Sequence, residues 1–173
     1  SSGTVELQAD VLSADKGSTV KAGVLTLETE SGIGSSEIPL NTMADSLVAS
    51  VTSPGGLHLK EADDLTLTDL LVNEGDVEVF VGGSLLATKV QTYADGDITL
   101  QAGINLAIDL AQTDLIVGTG TPTSTVTLEA LGQISEATPV DSDYDVIAGT
   151  IKLNDTDGSV TGVETSVTPT VGI

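Results

Sequence analysis

The chain has 173 residues, enough for one domain with a real core, and carries 26 acidic residues against five Lys or Arg, a net charge of −21. Such a surface repels phosphate backbones and anionic membranes, so nucleic acid is not expected as a partner, and no run of about 18 apolar residues offers membrane insertion. Cysteine is absent, which removes disulfides, thiol chemistry and thiolate metal sites. Taken in order, the chain then repeats one phrase, Gly-x-apolar-x-apolar. It occurs at Gly3-Thr4-Val5-Glu6-Leu7, Gly23-Val24-Leu25-Thr26-Leu27, Gly55-Gly56-Leu57-His58-Leu59 and Gly75-Asp76-Val77-Glu78-Val79. It returns at Gly96-Asp97-Ile98-Thr99-Leu100, Ser124-Thr125-Val126-Thr127-Leu128 and Gly149-Thr150-Ile151-Lys152-Leu153. Spacings between successive first apolar positions are 20, 32, 20, 21, 28 and 25, periods that signify a stacked repeat architecture.

Each phrase alternates apolar and polar residues, the period-2 signature of a strand with one buried side. Further apolar clusters follow within several units, such as Leu65 and Leu67, then Leu70-Leu71-Val72, after Leu57. Three short strands per roughly 20 residues, separated by Gly, Asp, Asn and Ser turns, describe one coil of a β-solenoid. The aromatics are only Phe80, Tyr93 and Tyr144, so small aliphatics must fill the core, which suits thin stacked layers. Residues 5, 25, 57, 77, 98, 126 and 151 are expected to form one inward column, and 7, 27, 59, 79, 100, 128 and 153 a second. The preceding glycines are read as corners with positive φ. Ala107–Leu115 is the one stretch that can be written as a helix, against its β-rich surroundings.

The two longest irregularities are read as inserts, Ser31 to Pro54 and Gly132 to Ala148. They share a pattern: Gly32-Ile33, Glu37, Pro39 and Leu47-Val48-Ala49 in one, Gly132, Ile134, Glu136, Pro139 and Val146-Ile147-Ala148 in the other. The reading is therefore a single solenoid segment over residues 1–173 with a larger internal repeat, 1–93 and 94–173. Both ends read as cut from a longer chain.

The phrases Asp95-Gly96-Asp97-Ile98-Thr99-Leu100-Gln101-Ala102-Gly103 and Gly32-Ile33-Gly34-Ser35-Ser36-Glu37-Ile38-Pro39-Leu40 resemble repeats of very large bacterial exoproteins, the filamentous-haemagglutinin-like and autotransporter-like surface proteins. The resemblance implies an all-β fold, a right-handed parallel β-helix of about seven coils of roughly 20 residues with the two inserts. It also implies an extracellular or cell-surface location and service as a non-catalytic stalk, adhesin or filament. The partners implied are neighbouring repeats of the same chain and host-cell or matrix glycans or proteins. No secretion-domain motif stands at the start, which leaves the export route open.

Chemistry is thinly supplied. His58 is the one histidine and sits at an outward strand position between Leu57 and Leu59, the place of a solvent-facing residue. With no cysteine and no Gly-x-Ser-x-Gly elbow, nucleophilic triads lack their parts. No catalytic or cofactor-binding residue is assigned. The alternative function is a carbohydrate-active β-helix enzyme, a polysaccharide lyase or glycoside hydrolase, because paired carboxylates are plentiful. A lyase, however, wants Arg or Lys beside its uronate, and sugar platforms want exposed aromatics. Calcium is the one cofactor with a candidate site. Asp141-Ser142-Asp143-Tyr144-Asp145 and Asn154-Asp155-Thr156-Asp157-Gly158 place carboxylates at alternate positions, hard oxygen ligands suited to that ion. The candidates are Asp141, Asp143, Asp145, Asp155 and Asp157. The second run does not complete an EF-hand loop, and alternating Asp on a strand or turn is usually only a solvated face.

Overall fold

Alternating Val, Leu and Ile with polar residues leaves each segment extended with one apolar side, and such a strand is stable only when that side and both edges are covered. The structure, a computed structural model, shows how. It describes residues 3–94, 96–108, 117–119, 124–137, 144–156 and 158–167. These residues form strands and turns and contain no helix. The strands are β1 (Thr4–Ala9), β2 (Thr19–Thr29), β3 (Leu40–Pro54), β4 (Leu57–Glu61), β5 (Leu65–Glu74) and β6 (Val77–Val81). There follow β7 (Leu85–Ala87), β8 (Val90–Thr92), β9 (Ile98–Ala102), β10 (Leu106–Ile108), β11 (Val117–Thr119) and β12 (Thr125–Ala130). The last are β13 (Ile134–Glu136), β14 (Val146–Ala148), β15 (Thr150–Asp155), β16 (Val160–Thr161) and β17 (Thr165–Val167).

Every pairing between these strands is parallel, and each joins a strand to its counterpart one coil away, giving a parallel β-solenoid of about seven turns. From β4 onward three faces alternate. The first stacks β4, β6, β9, β12 and β15. On the second lie the start of β5, then β7, β10, β13 and β16. The third takes the end of β5, then β8, β11, β14 and β17. Stacking residues of one kind at one register is what allows a core this poor in aromatics: Leu57, Val77, Ile98 and Val126 form one fully buried column and Leu59, Val79, Leu100 and Leu128 the next. Ile151 and Leu153, which extend these two columns, are half-buried, as are Val5 and Leu7 of β1, because the described coils cover them on one side only.

The inward positions expected from the alternation are the inward positions found, but four of them, Val5, Leu7, Leu25 and Leu27, stand in other columns. Leu25 and Leu27 pair with Leu47 and Ala49, not with Leu57 and Leu59. The column that ends in Leu57 is reached instead through Leu12 and Ile33, joined by isolated bridges. Residues 31–54 are thus no insert: Ile33 and the long strand β3 are a coil of the stack, and β3 alone runs across faces that later coils divide among three strands. Likewise residues 132–148 include β13 and β14, ordinary rungs of the second and third faces. The cause is that Gly-x-apolar-x-apolar suits any corner followed by a strand, so it recurs on more than one face. Leu47-Val48-Ala49 lacks the leading Gly and escapes the pattern.

The glycines also divide. Gly75 has φ 131°, yet Gly23 and Gly149 do not share its positive φ. A Cβ on Gly75 would lie 2.8 Å from the carbonyl carbon of Gly55 and 2.9 Å from its oxygen, so close approach of successive coils demands glycine there as much as conformation does. Polar corners are stapled in the same direction. Asp64 Oδ1 accepts from the Ser84 amide (2.7 Å), Asp76 Oδ1 from Asp97 (2.9 Å), Asp97 Oδ1 from Thr125 (2.7 Å) and Asn105 Oδ1 from Gln133 (2.9 Å). Part of the acidic excess is therefore spent on fastening each coil to the next.

Candidate functional site: a buried carboxylate corner

Among the described residues, one group of three metal-capable side chains comes together, Glu136, Asp145 and Glu164, with an oxygen from each within 4.8 Å of the others. Stacking assembles it. Glu136 ends β13, where it pairs with Ile108 and occupies the inward position that Leu67, Ala87 and Ile108 fill in earlier coils. Asp145 immediately precedes β14, and Glu164 immediately precedes β17, the strand stacked on it. Two backbone bonds lock that corner, Asp145 N to Glu164 O (2.8 Å) and Val146 N to Glu164 O (3.1 Å).

The three groups differ in their surroundings. Asp145 is 0% exposed, and its Oδ2 accepts a bond from the Glu164 amide, at 2.6 Å. Its Oδ1 is buried with no donor, as is Oε2 of Glu164. Burial pushes the Asp145 carboxyl up to about 7, opposed by the Glu164 amide and reinforced by the carboxyls of Glu164 and Glu136 beside it. A buried oxygen with no donor costs about 1–3 kcal/mol, more when charged.

A second buried carboxylate shows what full satisfaction looks like. Glu61 is 1% exposed, and its Oε2 accepts from Thr42 Oγ1 (2.7 Å) and the Ala44 amide (3.0 Å). Its Oε1 accepts from the amides of Ala62 (2.8 Å) and Asp63 (3.3 Å). Four donors hold that charge in place, so Glu61 is a structural cap.

The residues singled out in sequence fall as follows. Asp145 belongs to the cluster, while Asp141, Asp143 and Asp157 lie outside the described residues. Asp155 stands elsewhere, at the end of β15, where its carboxylate accepts from the amides of Gly158 (2.9 Å), Ser159 (3.0 Å) and Ile134 (3.3 Å), closing a turn. Glu136 and Glu164 were not singled out as ligands. An inward-facing Glu in a column otherwise holding Leu67, Ala87 and Ile108 is the signal that marks Glu136, and it is readable only once the register is known. His58 is not simply solvent-facing: its side chain is 17% exposed, and Nδ1 lies 2.9 Å from Glu78 Oε2 on the next coil. The concavities along the faces are shallow; one is bordered by Asp45, Asp64, Leu65, Ser84, Leu86 and Asn105.

Compared with protein-family models, curated proteins and solved structures, the chain matches none. Within the described residues no helix is long and apolar enough to cross a membrane.

Proposed function

We propose that the chain is a structural or adhesive module, a segment of the stalk or filament of a large secreted or cell-surface bacterial protein, and not an enzyme. The observation that carries this reading is where its side chains are spent. Aliphatic residues form continuous columns, and polar ones bond from coil to coil, as Asp64 to Ser84, Asp76 to Asp97, Gln8 to Glu28 (3.2 Å) and Asn154 to Glu129 (2.8 Å). Such a body resists extension along its axis by adding nearly identical interfaces, each coil advancing about 4.8 Å. Its natural partners are further coils of the same chain, and a glycan or protein of a host cell or matrix at the surface it is carried to. The resemblance of its repeats to surface exoproteins supports that location, and the strong negative charge supports solubility there.

The rival class is a carbohydrate-active enzyme. A carboxyl that holds its proton near neutrality is what a glycosidase acid requires, and Asp145 has that property. Yet Asp145 is wholly enclosed, so a sugar cannot reach it. Incubation with acidic and neutral polysaccharides separates the readings: the scaffold yields neither new reducing ends nor unsaturated products. Turnover that disappears with one carboxylate substitution overturns it. Display of the chain on a bacterial surface over glycan and matrix-protein arrays then tests the adhesive part.

A further inference from the structure

We propose that Glu136, Asp145 and Glu164 bind one divalent, oxygen-seeking cation, calcium above all, which clamps the corner between the last two described coils. The inference goes beyond the scaffold reading and does not depend on it.

The geometry fits the ion. Calcium binds carboxylate oxygens at about 2.3–2.6 Å, so oxygens sharing one ion lie no more than about 5 Å apart. The three oxygens here lie within 4.8 Å of one another. They come from three separate places in the chain, the end of β13 and the residues before β14 and β17, so the ion would bridge segments that meet only by stacking. Asp145 and Glu164 each carry one carboxylate oxygen, Oδ1 and Oε2, that is buried with no donor, and Asp145 is enclosed completely. A carboxylate taken out of water with one oxygen left undonated is stabilised by a positive charge beside it.

The same corner three coils earlier shows what is missing. Residues preceding the third-face strands stack upon one another, and there Asp69 precedes Leu70 while Lys89 precedes its partner Val90. Lys89 Nζ lies 3.2 Å from Asp69 Oδ1, and the Leu70 amide donates to the Lys89 carbonyl as the Val146 amide donates to that of Glu164. At the later level the place equivalent to lysine is held by a second acid, Glu164. Its neutralising charge must come from outside the pair, and with three carboxylates converging, a divalent ion leaves the corner close to neutral. Magnesium holds its ligands at about 2.1 Å and gives up water reluctantly, so a site this enclosed favours the larger ion.

The test is a calorimetric titration of the full chain, stripped of metal with EDTA and dialysed, using calcium chloride near neutral pH. Magnesium chloride, and potassium chloride of matched ionic strength, are run beside it. We expect one saturable calcium per chain, tighter than about a millimolar, and a thermal midpoint raised by calcium but not by potassium. Asp145→Asn and Glu164→Gln should each weaken binding about tenfold or more. Asp145→Asn keeps the size and shape of the buried group without its ionisation and is expected to fold; should it not, Glu164→Gln and the unmodified chain decide the matter alone. Terbium gives a second readout, because Tyr144 adjoins Asp145 and can sensitise its luminescence, which calcium should quench by displacement. Tyr144→Phe should abolish the luminescence and keep the heat of calcium binding. The proposal is overturned by unsaturable binding, by equal effects of calcium and potassium, or by unchanged affinity in both carboxylate variants.

Discussion

Removing the Glu61 carboxylate should be among the most damaging single changes to this fold, and the structure says by how much. Its two oxygens accept four bonds, two of them from groups that have no route to water. Thr42 is 1% and Ala44 5% exposed, so in Glu61→Ala the Thr42 hydroxyl and the Ala44 amide are left unsatisfied in the interior. Each such orphan costs about 1–3 kcal/mol. The amides of Ala62 and Asp63 belong to exposed residues and can turn to solvent, so they add little. The expected loss is about 3–5 kcal/mol, a large part of the roughly 5–15 kcal/mol by which domains are stable. Glu61→Gln keeps one acceptor and should lose about half as much. Urea unfolding followed by far-UV circular dichroism measures the total, and amide exchange at Ala44 and Ala62 localises it, since coils of a solenoid can open separately. A Glu61→Ala protein within about 1 kcal/mol of the parent, with unchanged exchange at Ala44, would refute the claim that this carboxylate caps the coil.

Two further outcomes follow from the same coordinates. Gly75→Ala combines a φ of 131° with a Cβ set 2.8 Å from backbone of the neighbouring coil, and should cost about 2–4 kcal/mol; a neutral effect in urea would show that the coils can part there. In EDTA, stability should fall as pH rises through about 7. Asp145 is raised in the folded protein from 3.8 to about 7, so its proton favours folding fully below its unfolded value, and that contribution is lost on crossing the folded one. Midpoints of melts between mildly acidic and mildly alkaline pH check this. Asp145→Asn should flatten the slope, and an identical slope in both proteins contradicts the assignment.

The alternation of Val5-Glu6-Leu7 or Val77-Glu78-Val79 declares which side chains turn inward, because successive side chains of a strand point to opposite faces and burial tolerates no slip. That much of the solenoid was legible before any coordinates. Which coil lies over which was not. Leu25 could meet Leu47 or Leu57 with equal apolar satisfaction, and it is the unbroken pairing of β2 with β3, from Thr19 against Asn41 to Thr29 against Val51, that sets it on Leu47. The carboxylate corner was half legible for the same reason. Asp145 stood out in an acidic run, but its companions come from another strand and another coil, and proximity of Glu136 and Glu164 is a product of register rather than of local spacing. Asp155, equally conspicuous in the sequence, is spent on backbone amides of its own turn.

Both the stacked columns and the carboxylate corner depend on that register, and the absence of cysteine makes it directly testable. Thr26 and Val48 are partners on adjacent strands, whereas the repeated phrase alone would set Thr26 against His58. Parallel neighbours about 4.8 Å apart fall within the range a disulfide can bridge, roughly 4.4–6.8 Å between Cα atoms. Two double variants, Thr26→Cys with Val48→Cys and Thr26→Cys with His58→Cys, are oxidised mildly and their free thiols counted. Closure of the first pair with the second left reduced is the result the structure predicts. Closure of the second pair, with the first left open, would contradict it.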